Sequence, residues 1–575
     1  MGGFDVAAGG RGHGVAGICG AAKLSFMVRG NPLLLFCFFT TIGACATGGG
    51  QADPAPVAAD PAPAEDASAP DARGRDENFS FALGSLPATL EVVQGLAVKI
   101  KIDLVRGKTM LAPVEIKLRD FRDGITATPV SITGDSGEIE ISAPSAAPQG
   151  PAAGTIEASA VDPKDPTRVF KVALPLKALV RGAPGAVDTT YGTAGIVRDV
   201  FGAGNDARID DLVLAPDDSV YIVAHCAAAG VCVRHLDASG KIDMTYGGGG
   251  TATLALVSPH QAALQSDGKL VIVGGTPPST AMIGRLDAKG VPDGSFGTGP
   301  AGSGTSVVQS GGLNGLNEGL VAVAIRADGD IFAAWDNNHD TIYKNGLMRI
   351  APNGTLRAEY GAGGTSRNAP GRSTAMLVRN DVKSPSKGNV ALVWVDTTAV
   401  KSLGFMQTNG DTGGVDPLIG PTPKTYALSQ AWRPTQGAYG LVELADGSIV
   451  TPILGGGGVY LVKLSAVGGL VAGFGSGGIA GPFTSSRPNA EPNGIAVLPD
   501  GKLLVSIGHE GGLELLRFTT TGALDPGFGT NGRITQLTGT NSVGRKVVVQ
   551  KSGRILAGSS TLTAPIDSGV SAFWP

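Results

Sequence analysis

Residues 261–300 read QAALQSDGKLVIVGGTPPSTAMIGRLDAKGVPDGSFGTGP, four short runs bounded by turn residues. The apolar runs are rich in Val, Ile and Leu, which marks them as β-strands. Ser266-Asp267-Gly268-Lys269 holds an Asp-Gly pair that closes a hairpin, because glycine accepts the positive φ a tight turn demands. Asp287–Gly290 makes a second turn, and Phe296–Gly299 ends the unit. The unit returns along the chain. Aligned on the first turn, seven copies turn at Asp218, Gly268, Gly329, Gly388, Gly447, Gly501 and Gly553. Their spacing of roughly 50–60 residues suits a four-stranded repeat. The clearest copies are LQSDGKLVIVGG, IRADGDIFAAW, LADGSIVTPIL and LPDGKLLVSIG, and the fourth copy is degenerate, turning at Ser386-Lys387-Gly388. A third strand recurs at Ile283–Asp287, Leu347–Ala351, Leu461–Ser465 and Leu515–Thr519. A fourth strand is expected at Asp243–Gly247, Asp293–Gly297, Ala472–Gly475 and Asp525–Gly529.

Four-stranded repeats of this length build the blades of a propeller. The seventh copy stops after three strands, and Val187–Gly195 matches the missing piece, Leu524–Gly532. An N-terminal strand completing the last blade leaves no missing strand, so the expectation is an all-β chain with a seven-bladed β-propeller over residues 186–575. An open solenoid would leave that strand unexplained. The consensus, roughly QpDGKilvaG…aRln.dG.lD.tFGt.G, resembles the delta-60 repeat of myxobacterial and related genomes. That resemblance implies the repeat architecture and carries no assigned activity.

Upstream, residues 79–181 hold six or seven strands with Gly, Pro and Asp turns, which predicts a small β-sandwich. Val93–Gly95, Pro113–Ile116, Asp123–Pro129 and Ala152–Ile156 resemble bacterial immunoglobulin-like modules in their order. Residues 1–44 read as a signal region with translation starting at Met27. The run Pro32–Phe39 is too short to span a bilayer. Ile42-Gly43-Ala44-Cys45 resembles the lipobox of bacterial lipoproteins, which implies acylation of Cys45. A Pro/Ala/Asp linker, too poor in apolar residues to fold, fills the rest of residues 45–78. The chain is therefore expected to be exported and anchored by lipid to the cell envelope, at the outer membrane.

The net charge of −4 offers no basic field for nucleic acid. Gly473–Gly478 and Gly527–Gly532 match GxGxxG, but each is an end-of-blade turn without a following helix. Gly134-Asp135-Ser136-Gly137 copies a protease nucleophile tetrapeptide and reads instead as a turn between strands. No catalytic constellation, metal site or cofactor is expected. Asp336–Asp340 begins like a calcium loop but lacks the glycine and the glutamate that such a loop needs at Thr341 and Leu347. Cys226 and Cys232 lie symmetrically about Ala229 and are expected to face each other across a hairpin as a disulfide. Two reduced, buried thiols are the alternative.

The first strands, such as Asp211–Ala215 and Ala322–Ile325, read as an apolar channel lining, which leans against catalysis. The second-to-third loops vary in length while the Asp-Gly turns do not, so binding is expected on the variable face. Trp335, Asp336, Asn338, His339 and Asp340 in blade three, with Trp432 and Arg433 at the entry to blade five, are the expected ligand-binding rim. Packing of the two tryptophans between blades is the alternative. The expected function is non-catalytic binding or scaffolding by a monomer that engages an envelope protein or polysaccharide. A propeller hydrolase or lyase acting on polysaccharide is the rival.

Overall fold

A computed structural model describes residues 79–575, except 123, 203–205, 227–229, 276–280, 301, 309–317, 340–341, 371, 381–385, 396–401, 421–422, 428–439, 456, 486–489, 510, 538–541 and 562–566. Met27, the lipobox with Cys45, the linker, Asp340, Trp432 and Arg433 lie outside the described residues. Among the described residues every regular element is a strand.

The first nine strands form two sheets. Five strands pair in the order β2 (Leu90–Val93), β9 (Asp165–Arg181), β8 (Gly150–Asp162), β4 (Val114–Arg119) and β6 (Val130–Ile132). Four pair as β1 (Phe81–Leu83), β3 (Ala97–Arg106), β7 (Ser136–Ser142) and β5 (Thr126–Ala127). Both sheets alternate in burial, because β residues point to opposite faces in turn. Ile100, Ile102, Val114, Ile116, Ile139, Ile141 and Ile156 meet in one shared core. Gly134-Asp135 is the turn from β6 into β7, as its sequence predicts, and Asp135 faces Arg106 at 3.8 Å.

The ring begins with β10 (Ile196–Val197). Five four-stranded antiparallel sheets follow among the described residues. They are β11–β14 (Ala207–Leu214, Val220–Cys226, Gly230–Leu236, Thr251–Leu254) and β15–β18 (Pro259–Leu264, Leu270–Gly274, Met282–Leu286, Thr305–Val307). Next come β19–β22 (Glu318–Ile325, Ile331–His339, Ile342–Ile350, Thr365–Pro370) and β23–β26 (Arg372–Val378, Val390–Val395, Ser402–Thr408, Lys424–Ala427). The fifth is β27–β30 (Val442–Glu443, Ile449–Gly455, Gly458–Leu464, Ile479–Phe483). An eight-stranded sheet ends the chain. It holds β31–β34 (Glu491–Val497, Leu503–His509, Gly512–Phe518, Arg533–Leu537), β35–β37 (Ser542–Val549, Ile555–Thr561, Ser568–Phe573) and β10. Its two halves are joined by one parallel pairing, Gly512 with Val543. The first strand β11 packs against β35 of this last sheet, so the ring closes on itself as a β-propeller. Buried Val, Ile, Leu and Phe side chains fill each interface between neighbouring sheets.

Every Asp-Gly-type turn lies where the sequence puts it. Gly268 has φ +81°, and Asp218, which replaces glycine in the first copy, still takes φ +68°. The expected fourth strands are displaced. Asp293–Gly297 and its equivalents are turns, and the strand begins later, at Thr305 in that sheet. Asp293 Oδ1 accepts hydrogen bonds from the Ser295 backbone and hydroxyl, which folds the segment back instead of extending it. Likewise Val187–Gly195 is mostly turn, and the closing strand is β10, paired with β37.

These turns explain the consensus. Arg285 on the third strand pairs with Asp293 at 2.8 Å and lies over Phe296, 4.4 Å from its centroid. Arg517, Asp525 and Phe528 repeat the arrangement at 2.9 and 4.5 Å. In the closing sheet the cation is Arg554, which pairs with Asp188 and lies over Tyr191. Residues 366 positions apart thus rebuild the same lock from the two ends of the ring.

Candidate functional site

The inner strands carry a feature that the apolar reading overlooks. Register shifts leave one extra residue in each of β11, β15, β19, β23, β31 and β35. The bulges fall at Asp210, His260, Val321, Thr374 and Asn493, and at Arg545-Lys546, which together face the single residue Gly558. Such β-bulges re-aim a side chain and recur beside active sites. Five of these bulges begin eight residues before the turn residue of their copy: Asp210, His260, Val321, Asn493 and Arg545. They therefore lie at one level of the ring, at the end opposite the Asp-Gly turns. That end is the mouth on the face of the variable loops.

Neighbouring residues clamp the inner strands together. Asp211 Oδ2 accepts from the Ala262 backbone at 2.9 Å, and Gln261 Oε1 accepts from Val323 at 2.9 Å. Asn493 Nδ2 donates to the Gly544 carbonyl at 2.7 Å, and Ser506 Oγ to the Arg545 carbonyl at 2.6 Å. These bonds hold the bulges in place. The titratable bulge side chains are left facing the mouth.

Asp210, His260 and Arg545 are joined there by Arg208, His225 and Glu491. Arg208 lies beside His225 across the β11–β12 pair and contacts Asp210 Oδ1 at 3.3 Å. The second oxygen of Asp210, and Nε of Arg545, are buried without a partner. Burial pushes the Asp210 carboxyl up, opposed by the charges of Arg208, Arg545 and His225. Burial also raises Glu491, against Arg545. Desolvation together with Arg208 pushes the His260 imidazole down, although its surface remains open to water, as a side chain on a channel wall would be. Arg545 is lowered by burial and by Arg208, while Asp210 and Glu491 oppose the shift. Two bases, two acids and two imidazoles from three sheets thus converge. Among the described residues no group of three or more His, Cys, Asp or Glu is placed to hold a metal ion. A cleft of about 640 Å³ lies elsewhere, beside the closing strand, lined by Thr190, Ile196, Arg198, Ser239 and Lys241 among others.

The rim expected from the sequence fares differently. Trp335 is 1% exposed and packs with Val271, Ile283, Phe296 and Leu320 between sheets, so it is core and not an anchor. Its position on a central hairpin strand turns the ring inward. Asp336, Asn338 and His339 do not form a loop. β20 continues through His339, paired with Ile342 on β21, which removes any calcium-loop geometry. Tyr426, beside the second expected patch, is half-buried and donates to the Gly468 carbonyl. Cys226 and Cys232 are disulfide-bonded, with Cα atoms 5.9 Å apart. They are diagonal, not opposed: Cys226 pairs with Gly230 and Cys232 with Ala224. This register leaves both sulfur-bearing residues on one face, in the core shared with the last sheet.

No family model matches the chain, and no curated protein sequence matches it. Solved structures resemble it at low identity. Polysaccharide lyase Uly1 is 9% identical with a TM-score of 0.38, over 67% of this chain and 91% of the lyase. The β-propeller domain of the Trilobed protease from Pyrococcus furiosus is 8% identical with a TM-score of 0.35, over 62% and 92%. Prolyl oligopeptidase B from Galerina marginata is 10% identical with a TM-score of 0.36, over 71% and 53%.

Proposed function

We propose that the chain is an exported, lipid-anchored envelope protein whose seven-bladed propeller of delta-60 type binds a ligand at its channel mouth without catalysing a reaction. Seven blades are supported by seven positive-φ turns and by the single pairing that joins the two halves of the last sheet. The closing strand β10 gives the seventh blade its fourth strand. An immunoglobulin-like sandwich is supported by two sheets over one core and by the parallel pairing of β2 with β9. Lipid anchoring rests on the sequence at Ile42–Cys45 and the outer-membrane assignment on Ala46, in place of Asp, after the cysteine, and no cofactor is required. The observation that carries the binding reading is the bulge register. It puts Asp210, His260, Asn493 and Arg545 at one level on the loop-bearing face.

The rival reading, an enzyme acting on polysaccharide, is favoured by one feature. The Asp210 carboxyl is raised and the His260 imidazole lowered, the directions that suit a general acid and a general base. Pull-down from envelope fractions, with the native chain and an Asp210→Asn/Arg545→Gln variant, tests the binding reading. Ligand recovered by the native chain and lost by the folded variant is expected. Equal recovery by both would remove the mouth as the site. Turnover of the recovered ligand would replace the binding reading with the enzymatic one.

A further inference from the structure

Resting on the reading of the mouth as the binding site, we infer that its ligand is an acidic polysaccharide, whose uronate carboxylate is gripped between the guanidinium groups of Arg545 and Arg208. A guanidinium carries five N–H donors in a planar fork. Arg208 directs one Nη to Asp210 and its side chain is 45% exposed, so the rest of its fork is open to the channel. Arg545 has no ion-pair partner among the described residues, and its Nε is buried and unbonded. Asp210 and Glu491 reach it only through longer-range charge. His260 and His225 add ring nitrogens. Donors therefore outnumber acceptors at the mouth, in a protein whose net charge is −4. The excess is local to the site and not a property of the surface at large.

A partly buried donor without an acceptor is costly, and a planar anion entering the channel would relieve both guanidinium groups at once. The fork matches a carboxylate in two parallel bonds, which a lysine cannot do. The remaining chemistry selects the carrier. Asp210 Oδ2 is buried and needs a hydrogen-bond donor, and the Glu491 carboxyl adds negative charge beside Arg545. Their negative charge would repel a run of acidic side chains, whereas sugar hydroxyls supply neutral donors beside a single carboxylate per ring. Asp210, between the two arginines, would then accept from a hydroxyl while the arginines hold the carboxylate.

The test uses the full chain, titrated with oligogalacturonate and oligomannuronate, with oligogalacturonate methyl ester, with neutral galactan oligomers and with poly-glutamate. Binding of at least one uronate oligomer is expected, weakened about tenfold or more by methyl esterification and by added salt. Arg545→Gln and Arg208→Gln should each weaken uronate binding about tenfold while leaving the residual ester binding unchanged. Arg545→Lys should recover only part of it, with the melting temperature of every variant checked against the native chain. Equal binding of acid and ester, preference for poly-glutamate, or no binding of either uronate would overturn the inference. If Asp210→Asn weakens a neutral oligomer that the arginine variants leave alone, the carboxylate subsite fails and the mouth stands. If no mouth variant alters any ligand, the mouth itself fails.

Discussion

The two ends of the propeller use one backbone for opposite purposes. At the turn end, the same chemistry is rebuilt in three of the copies. Arg285–Asp293–Phe296, Arg517–Asp525–Phe528 and Arg554–Asp188–Tyr191 are variations on one lock. At the bulge end the backbone repeats just as faithfully, yet the side chains at the repeated position are Asp210, His260, Val321, Asn493 and Arg545. Repetition of a residue type marks what every blade needs in order to fold. Repetition of a geometry with changing residues marks where the ring has been free to specialise.

The sharpest way to break this contrast is to remove a lock. Arg285 is buried, bonded to Asp293, Gln265 and the Pro352 carbonyl, and stacked on Phe296. Arg285→Ala strips the guanidinium from a mostly buried carboxylate, leaving it Lys269 at 3.4 Å, and is expected to cost about 3 kcal/mol, read as a lower urea midpoint. Arg208→Gln at the mouth keeps an N–H donor for Asp210 and removes a half-exposed charge, so it should cost less than about 1 kcal/mol. Equal losses would end the distinction between the two ends.

Acid probes the locks together. Desolvation raises Asp293, but bonds from Ser295 and the charges of Arg285 and Lys269 outweigh it and hold the carboxyl at about 2. A depressed carboxyl contributes stability that is complete above its unfolded value of 3.8 and is lost as pH falls toward its folded value. Asp293 should therefore contribute about 2 kcal/mol at pH 7, lost progressively below about pH 4. Asp293→Asn should flatten that limb of the stability curve. A curve unchanged by the substitution would show that the lock is not electrostatic.

The disulfide tests how much the first blade relies on a staple. Closing so short a loop is worth about 2 kcal/mol in the chain-entropy account, so Cys226→Ser/Cys232→Ser should lower stability by about that amount. No change in unfolding midpoint between oxidised and reduced native protein would rule out this contribution.

These effects also show what the sequence made legible. Gly268, Gly329 and Gly501 punctuate the chain because an L-residue resists positive φ, so the turns and the ring could be read directly. The closing strand was legible through its motif, but one step early, since Asp188 and Asp293 make turns that look extended in sequence. Trp335 was misread because a large aromatic in a variable segment looks exposed, while its strand faces a neighbouring sheet. The mouth escaped for a subtler reason. A bulge shifts alternation by one residue, so Asp210-Asp211 looks like a break in an apolar strand. Only alignment eight residues before each turn shows that His260, Asn493 and Arg545 share its place.

The smallest expected effect cuts deepest into the comparison, because its sign differs from that of the locks. Asp210 is nine-tenths buried, with one oxygen unbonded, and its carboxyl is raised. In the window between 3.8 and that elevated value the folded chain holds a proton that the unfolded chain has released, so native stability falls as pH rises through it. Asp210→Asn removes the charge while keeping an oxygen for Arg208. It should leave stability unchanged near pH 3.5 and raise it at pH 7, by less than a lock substitution loses, while weakening ligand binding. A residue that costs stability and whose loss costs binding is retained for function, whereas a lock residue is retained for folding. If Asp210→Asn destabilises the chain at pH 7 as Arg285→Ala does, Asp210 is one more structural partner, and the mouth loses its claim to be the specialised end of the ring.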